Sequence, residues 1–223
     1  MSQGQVQVVD LEFGIGLLLT SEKKSRPYFV DFLSSSWKSR WKGLGKGHIF
    51  RKALGAHKMP WRVLDLTAGF GQDAMMAVSM GCDVVAIEKN ETVYRLLSEG
   101  VERARIESVE LLEKLKRFEL IRSEAKEFLQ KLISSPHSAM KFDAIYLDPM
   151  FEKPKKSAKS PKEMQLLQGL VGASNEAEEQ ELLNLALQLG AKRVVVKRPL
   201  KGQMLKGPLK PSYKGQSVRY DIY

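Results

Sequence analysis

A single cysteine among 223 residues, Cys82, rules out an intrachain disulfide and fits a reducing compartment. Histidine is nearly as scarce, and His48, His57 and His137 show no metal-ligand spacing. No apolar run approaches the ~20 residues of a membrane helix. No basic stretch followed by an apolar core marks a secretory leader. There is no nucleophilic serine elbow and no internal repeat. The expectation from these absences is a soluble cytoplasmic protein, with no metal, no membrane association and no obligatory protein partner.

Acid is missing from three long segments. Residues 38–58 carry seven Lys/Arg, 153–162 five and 192–219 nine, all without an Asp or Glu. Together they hold 21 of the 36 basic residues of a chain with net charge +10, which points to one basic face and an anionic partner. The alternative is a set of separate solvated surfaces.

What is present is an alternation of strands and helices. Val6, Val8, Leu11 and Phe13 suggest a short strand, and YFVDFL at 28–33 another. Residues 48–54 suggest a short helix. From residue 61 the pattern sharpens: strand, glycine turn and helix to Gly81, then strands at CDVVAIE, FELIRS, FDAIYLD and AKRVVVKRP separated by helical stretches. SVRYDIY reads as a final edge strand. Such βαβ units imply a mostly parallel sheet, whose ligands bind at the carboxyl ends of its strands. The expected organisation is an N-terminal extension over 1–58, with short strands and a basic segment, and a catalytic domain over 59–223.

The unusual residues gather at those strand ends. Asp65 leads into Thr67-Ala68-Gly69-Phe70-Gly71-Gln72-Asp73, where Gly69 and Gly71 permit a tight turn and close backbone approach. Glu88 lies 23 residues after Asp65, placed to accept both hydroxyl hydrogens of a ribose. A dinucleotide satisfies the glycine spacing. However, Asp73 would then meet a pyrophosphate at a helix N-terminus. S-adenosylmethionine (SAM), with a sulfonium, an ammonium and no phosphate, suits Asp65 and Asp73 better. Glu124 is placed either to accept from an adenine amino group or to favour a helix N-terminus.

Asp148-Pro149-Met150-Phe151 resembles the (Asn/Asp)-Pro-Pro-(Tyr/Phe) tetrapeptide of methyltransferases that act on planar amines, with Met150 in place of the second proline. An exocyclic amine is conjugated and weakly nucleophilic. Asp148 and the Pro149 carbonyl would accept its two hydrogens, and Phe151 would stack on the base. Trp37 and Trp41, among Lys38, Arg40 and Lys42, either stack on bases or anchor their segment in the core.

Together with Tyr28-Phe29-Val30-Asp31-Phe32, Lys162-Glu163-Met164, Val194-Val195-Val196-Lys197-Arg198-Pro199 and Arg219-Tyr220-Asp221-Ile222-Tyr223, these motifs resemble the RsmJ family of bacterial small-subunit ribosomal RNA methyltransferases over roughly residues 28–223. The resemblance implies a Rossmann-like class I SAM-dependent methyltransferase of α/β class, with a seven-stranded-type sheet. It implies methyl transfer to the exocyclic N2 of a guanosine in 16S rRNA, with naked rRNA or the 30S subunit as partner. It also implies cofactor contacts at Gln72, Asp73, Glu88, Lys89, Glu124, Ala125 and Asp148. Gln72 and Lys89 stand where the family commonly has arginine, and Glu124-Ala125 replaces a small polar pair. Asp65, Gly69 and Gly71 complete the expected cofactor site. Asp148 and Phe151 are the expected catalytic pair. Pro149, Lys197, Arg198, Lys38, Arg40 and Lys42 are the expected substrate contacts. Three alternatives stay open: the same chemistry on another planar amine or a protein glutamine, a dinucleotide-dependent oxidoreductase, and a silent RNA-binding module.

Overall fold

Along residues 62–65, 83–88, 144–147 and 193–196 nearly every side chain is buried, as befits parallel strands covered on both faces. In the computed structural model, which describes residues 6–21, 26–45, 47–56, 61–135, 140–150 and 161–223, these segments form one seven-stranded sheet. In chain order the elements begin with β1 (Val6–Leu11), β2 (Gly14–Leu19), α1 (Ser35–Lys42), α2 (Ile49–Leu54), β3 (Arg62–Asp65) and α3 (Gln72–Ser79). They continue with β4 (Asp83–Glu88), α4 (Glu91–Glu107), α5 (Val109–Leu115), β5 (Phe118–Arg122), α6 (Ala125–Ser134) and β6 (Ala144–Leu147). The last are α7 (Lys162–Val171), α8 (Glu176–Gln188), β7 (Arg193–Pro199), β8 (Lys210–Lys214) and β9 (Val218–Ile222).

The sheet order is β5-β4-β3-β6-β7-β9-β8, with β9 antiparallel to both neighbours and the other adjacent pairs parallel. The order reverses between β3 and β6, which opens a crevice beyond their carboxyl ends. Period-two alternation divides the core. Val63, Val84, Ala144, Tyr146 and Val195 face one layer, and Leu64, Val85, Ile145, Leu147, Val194 and Val196 face the other. The first layer holds α1 to α4 and the hairpin β1–β2; α6 and α8 cover the second.

The N-terminal segment shares the first core. Leu17, Val30, Phe32, Trp37, Phe50 and Leu54 are buried in it. Residues 28–33 correct the sequence expectation, because only Tyr28 pairs with another strand, through an isolated bridge to Leu17. The rest runs against α4 at Val30 and turns at Phe32 and Leu33, where Leu33 N donates to Asp31 Oδ1 at 2.8 Å. Arg103 donates to the Val30 carbonyl at 2.6 Å, and a Cβ on Gly100 would lie 2.7 Å from that carbonyl oxygen. Alternating apolar residues there reflect burial against a helix. A second correction concerns β9, which lies between β7 and β8 rather than at the sheet edge.

Candidate active site

β3 ends at Asp65, and the chain turns through Gly69 (φ +53°) and Gly71 (φ +76°) into α3. A Cβ on Gly71 would lie 2.5 Å from Leu97 Cδ1, so both conformation and space require glycine. The turn is fastened to the next strand. Ala68 N donates to the Ile87 carbonyl at 3.0 Å, and Gly69 N donates to Glu88 Oε2 at 2.9 Å. Asn90 N donates to Glu88 Oε1 at 2.8 Å. The carboxylate is thereby fixed with lone pairs to spare. Burial raises the Glu88 carboxyl despite these N–H bonds.

Asp65 is buried and accepts from Thr67 N at 2.9 Å. Burial first, then the nearby carboxylates of Asp73, Asp148 and Glu88, push it up to about 8 against that hydrogen bond.

Asp148 follows β6, beside the same turn. Its backbone N–H donates to Thr67 Oγ1 at 2.7 Å. Its carboxylate accepts from Lys197 Nζ at 2.7 Å, and the same ammonium reaches Asp73 Oδ2 at 2.8 Å. Tyr146 Oη donates to that Asp73 oxygen at 2.6 Å. Burial raises Asp148, Lys197 lowers it and Asp73 raises it again, leaving it at about 6. Burial acts in the same direction on Asp73, but Lys197 and the hydrogen bonds it receives hold it below its ordinary value. Burial disfavours the charged Lys197, yet the two carboxylates keep its pKa well above the usual lysine value.

Asp65, Gly69, Gln72, Asp73, Glu88, Lys89, Glu124, Ala125, Asp148, Pro149, Lys197 and Arg40 all line one cleft of about 550 Å³. Gly71 lies behind it, as the hinge at the start of α3. Among the described residues, nine acidic and four basic side chains line the cleft, within a protein of net charge +10. Asp73 in the first turn of α3 opposes a pyrophosphate there. A cofactor bearing a sulfonium and an ammonium fits this donor set. Glu88 is placed for its ribose, and Ser123, Glu124 and Ala125 form the wall beyond. Glu124 makes no side-chain cap to its own helix, which leaves its carboxylate to the cleft.

The structure places the other expected contacts as follows. Arg198 faces the opposite side of β7 from Lys197, because consecutive strand residues point to opposite faces. It is buried against Glu179, Nη1 to Oε2 at 2.7 Å, and is not a substrate contact. Lys197 is engaged with two carboxylates, those of Asp73 and Asp148. Trp37 is buried edge-on against Phe32, so it anchors α1. Arg40 stands over the Trp37 ring and donates to Gln72 Oε1 at 2.8 Å; Gln72 Nε2 in turn donates to Glu163 Oε2 at 2.5 Å. Lys38 lies outside the cleft, within electrostatic reach of Glu110. Phe151 and the Lys42 side chain fall outside the described residues.

Several site residues escaped the sequence. Strand alternation from Asp148 puts Tyr146 on the same face, which was a usable signal for it. Ser174 and Glu179 had none. Ser174 N donates to the Met150 carbonyl at 2.9 Å, and Ser174 Oγ lies 2.6 Å from Glu179 Oε1.

The family model described as "Putative SAM-dependent methyltransferase" matches residues 2–223. Ribosomal RNA small subunit methyltransferase J from Coxiella burnetii (strain Dugway 5J108-111) is 42% identical over 207 residues, 92% of this chain and 77% of that protein. The protein of the same name from Cellvibrio japonicus is 39% identical over 226 residues, covering 98% and 82%. The crystal structure of a SAM-dependent methyltransferase from Neisseria gonorrhoeae superposes with a TM-score of 0.73 at 31% identity, covering 100% of this chain and 84% of that one. Sheet order, acidic cleft and relatives agree, and the chain belongs to the SAM-dependent methyltransferase family that includes the ribosomal RNA small subunit methyltransferase J proteins.

Proposed function

We propose that this enzyme methylates the exocyclic N2 amine of a guanosine in small-subunit ribosomal RNA, with the 30S subunit or its RNA as partner. The observation that carries the reading is the anchored Asp148-Pro149 step beside the acidic cleft: Thr67 fixes its backbone and Lys197 fixes its carboxylate. The names of its relatives, a net charge of +10 and the exposed Lys201, Lys206, Lys210 and Lys214 support an RNA substrate.

SAM, when bound, supplies a methyl group on a cationic sulfur. Glu88 would hold the ribose hydroxyls, and Asp65 would face the cationic part of the cofactor. Beside them in the cleft, the Asp148 carboxylate and the Pro149 carbonyl would accept the two hydrogens of the target amine. This aims its lone pair and reduces conjugation with the ring. Asp148 then takes the proton that leaves nitrogen, a role suited to a carboxylate raised to about 6. Lys197 compensates the charge of Asp148, and Asp73 with Tyr146 holds Lys197 in place. Phe151 is the proposed stacking partner of the base.

The test is transfer of tritiated methyl from SAM to small ribosomal subunits isolated from a strain lacking the endogenous enzyme, with the product mapped by nuclease digestion and mass spectrometry. A single N2-methylguanosine, lost in Asp148→Ala, is expected. Full single-turnover transfer by Asp148→Ala, or methyl delivered to ribosomal protein, overturns the proposal.

A further inference from the structure

Behind the Asp148-Pro149 step runs a chain of contacts, two of whose members, Ser174 and Glu179, also line the cleft. Arg198 Nη1 meets Glu179 Oε2 at 2.7 Å, with both side chains about 95% buried. Glu179 Oε1 lies 2.6 Å from Ser174 Oγ. Ser174 Oγ is also 3.1 Å from the Met150 carbonyl oxygen, but one hydroxyl hydrogen serves one acceptor at a time, and the shorter contact to the carboxylate takes it. The Met150 carbonyl is then held by Ser174 N at 2.9 Å. Asn175 caps α8 by accepting from Glu178 N at 2.9 Å, which fixes the turn that presents Ser174.

The backbone is therefore fastened one peptide before and one peptide after the two that flank Pro149. On one side, Asp148 N is bonded to Thr67 Oγ1; on the other, the Met150 carbonyl is bonded to Ser174. The Pro149 carbonyl lies between these anchors, with the proline ring restricting the backbone further. We infer that Ser174, Glu179 and Arg198 are positioning residues, which aim the Pro149 carbonyl at the amine by holding Met150; this rests on the amine-methylation reading above.

Fold stability alone accounts poorly for this arrangement. A buried ion pair is often no more stabilising than apolar residues of the same volume. Here it sits in the layer formed by Leu147, Leu183, Val194 and Val196, where an apolar pair would pack as well. What an apolar pair lacks is a directed acceptor for the Ser174 hydroxyl. β7 thus serves both halves of the acceptor: Lys197 holds the Asp148 side chain from one face, and Arg198 acts on the Met150 backbone from the other through Glu179 and Ser174.

Ser174→Ala removes the hydroxyl and keeps the backbone N–H, a small change at a partly exposed site. The wild type, Asp148→Ala, Ser174→Ala and Ser174→Thr are compared by single-turnover methyl transfer to small subunits, SAM calorimetry and thermal melting. Ser174→Ala is expected to lower the transfer rate about tenfold. Its SAM affinity stays within about twofold and its melting point stays near that of the wild type, while Ser174→Thr, which restores a hydroxyl, recovers the rate. Wild-type rate in Ser174→Ala overturns the inference. So does a loss shared equally by rate, SAM affinity and melting point, with no recovery by threonine, because that describes general loosening. Absence of N2-methylguanosine from the wild-type reaction, or unimpaired Asp148→Ala, overturns the underlying reading instead, and the inference falls with it.

Discussion

Replacing Lys197 by methionine keeps much of the side-chain volume and removes the charge shared by Asp73 and Asp148. The ammonium lies 2.7 Å from Asp148 Oδ2 and 2.8 Å from Asp73 Oδ2. With charge centres about 4 Å apart and an effective dielectric constant near ~20, such a pair is worth about 4 kcal/mol, or roughly 3 pKa units. The Asp148 side chain keeps 30% of its exposure, so water screens part of this. A rise of about 1–2 units remains after that discount. Burial and Asp73 act in the same direction once the lysine is gone, while Asp65, at about 8, and Tyr146 and Tyr220 are uncharged at pH 7. Asp148 moves from about 6 to about 7–8. At pH 7 its ionised fraction falls from roughly nine-tenths to between about one-half and one-tenth. A protonated carboxyl no longer accepts the amine's hydrogen without first giving up its own. Single-turnover transfer by Lys197→Met is therefore about 2–10-fold slow at pH 7 and recovers as pH rises toward ~9. The acid limb shifts to higher pH because the raised carboxyl must be deprotonated to work. Single-turnover rates from pH 5.5 to 9, at saturating SAM, measure it. An acid limb that stays at the wild-type position refutes the assigned electrostatic role of Lys197, even if the overall rate falls.

Three further outcomes are expected. SAM affinity rises with pH up to and through ~8, because Asp65, raised to about 8, must lose its proton to face a cation; Asp65→Asn abolishes that slope and the proton release seen by calorimetry in buffers of different ionisation enthalpy. Arg198→Met strands the Glu179 carboxylate in the core and lowers the unfolding free energy by about 3–5 kcal/mol in urea titrations; a loss below about 1 kcal/mol contradicts the buried pairing. Gly71→Ala forces a Cβ into a left-handed turn and against Leu97, costing about 1–3 kcal/mol of stability and weakening SAM binding; unchanged binding by calorimetry denies the turn its place in the site.

The central architecture was legible because parallel strands buried on both faces leave apolar runs, and because turn glycines and strand-end acids stand out against them. VVAI, IYL and VVV carried the sheet, and Asp65, Glu88 and Asp148 marked its ligand edge. β8 (KPSYK) lacks apolar alternation and forms because β9 offers it an edge, so only tertiary contact reveals it. The hairpin strand β2 (GIGLLL) and the helices α1 and α5 also went unread, being short and dependent on the core they cover. The basic segment 192–219 was the most misleading. Lys192 pairs with Asp143, Arg193 donates to the Lys52 and Ala53 carbonyls, and Lys197 and Arg198 are engaged as described. Arg219 binds Asp221 and the carbonyls of Pro199, Leu200 and Gly202. Lys210 donates to the Lys192 carbonyl at 3.5 Å, so six of its nine cations make contacts within the protein, and the exposed Lys201, Lys206 and Lys214 are the other three. Charge counted along a chain does not separate these uses; the partners that neutralise it are distant in sequence.

The inserted position of β9 bears on how the polypeptide is made. β7 is complete at Pro199, but the strand that covers its open side is residues 218–222. Until those residues leave the ribosome, Val194-Val195-Val196 present an unpaired apolar rim, the kind of surface that recruits other strands. A chain cut between these points would leave that edge open to other strands, so loss of residues 218–222 is expected to cost solubility before it costs activity.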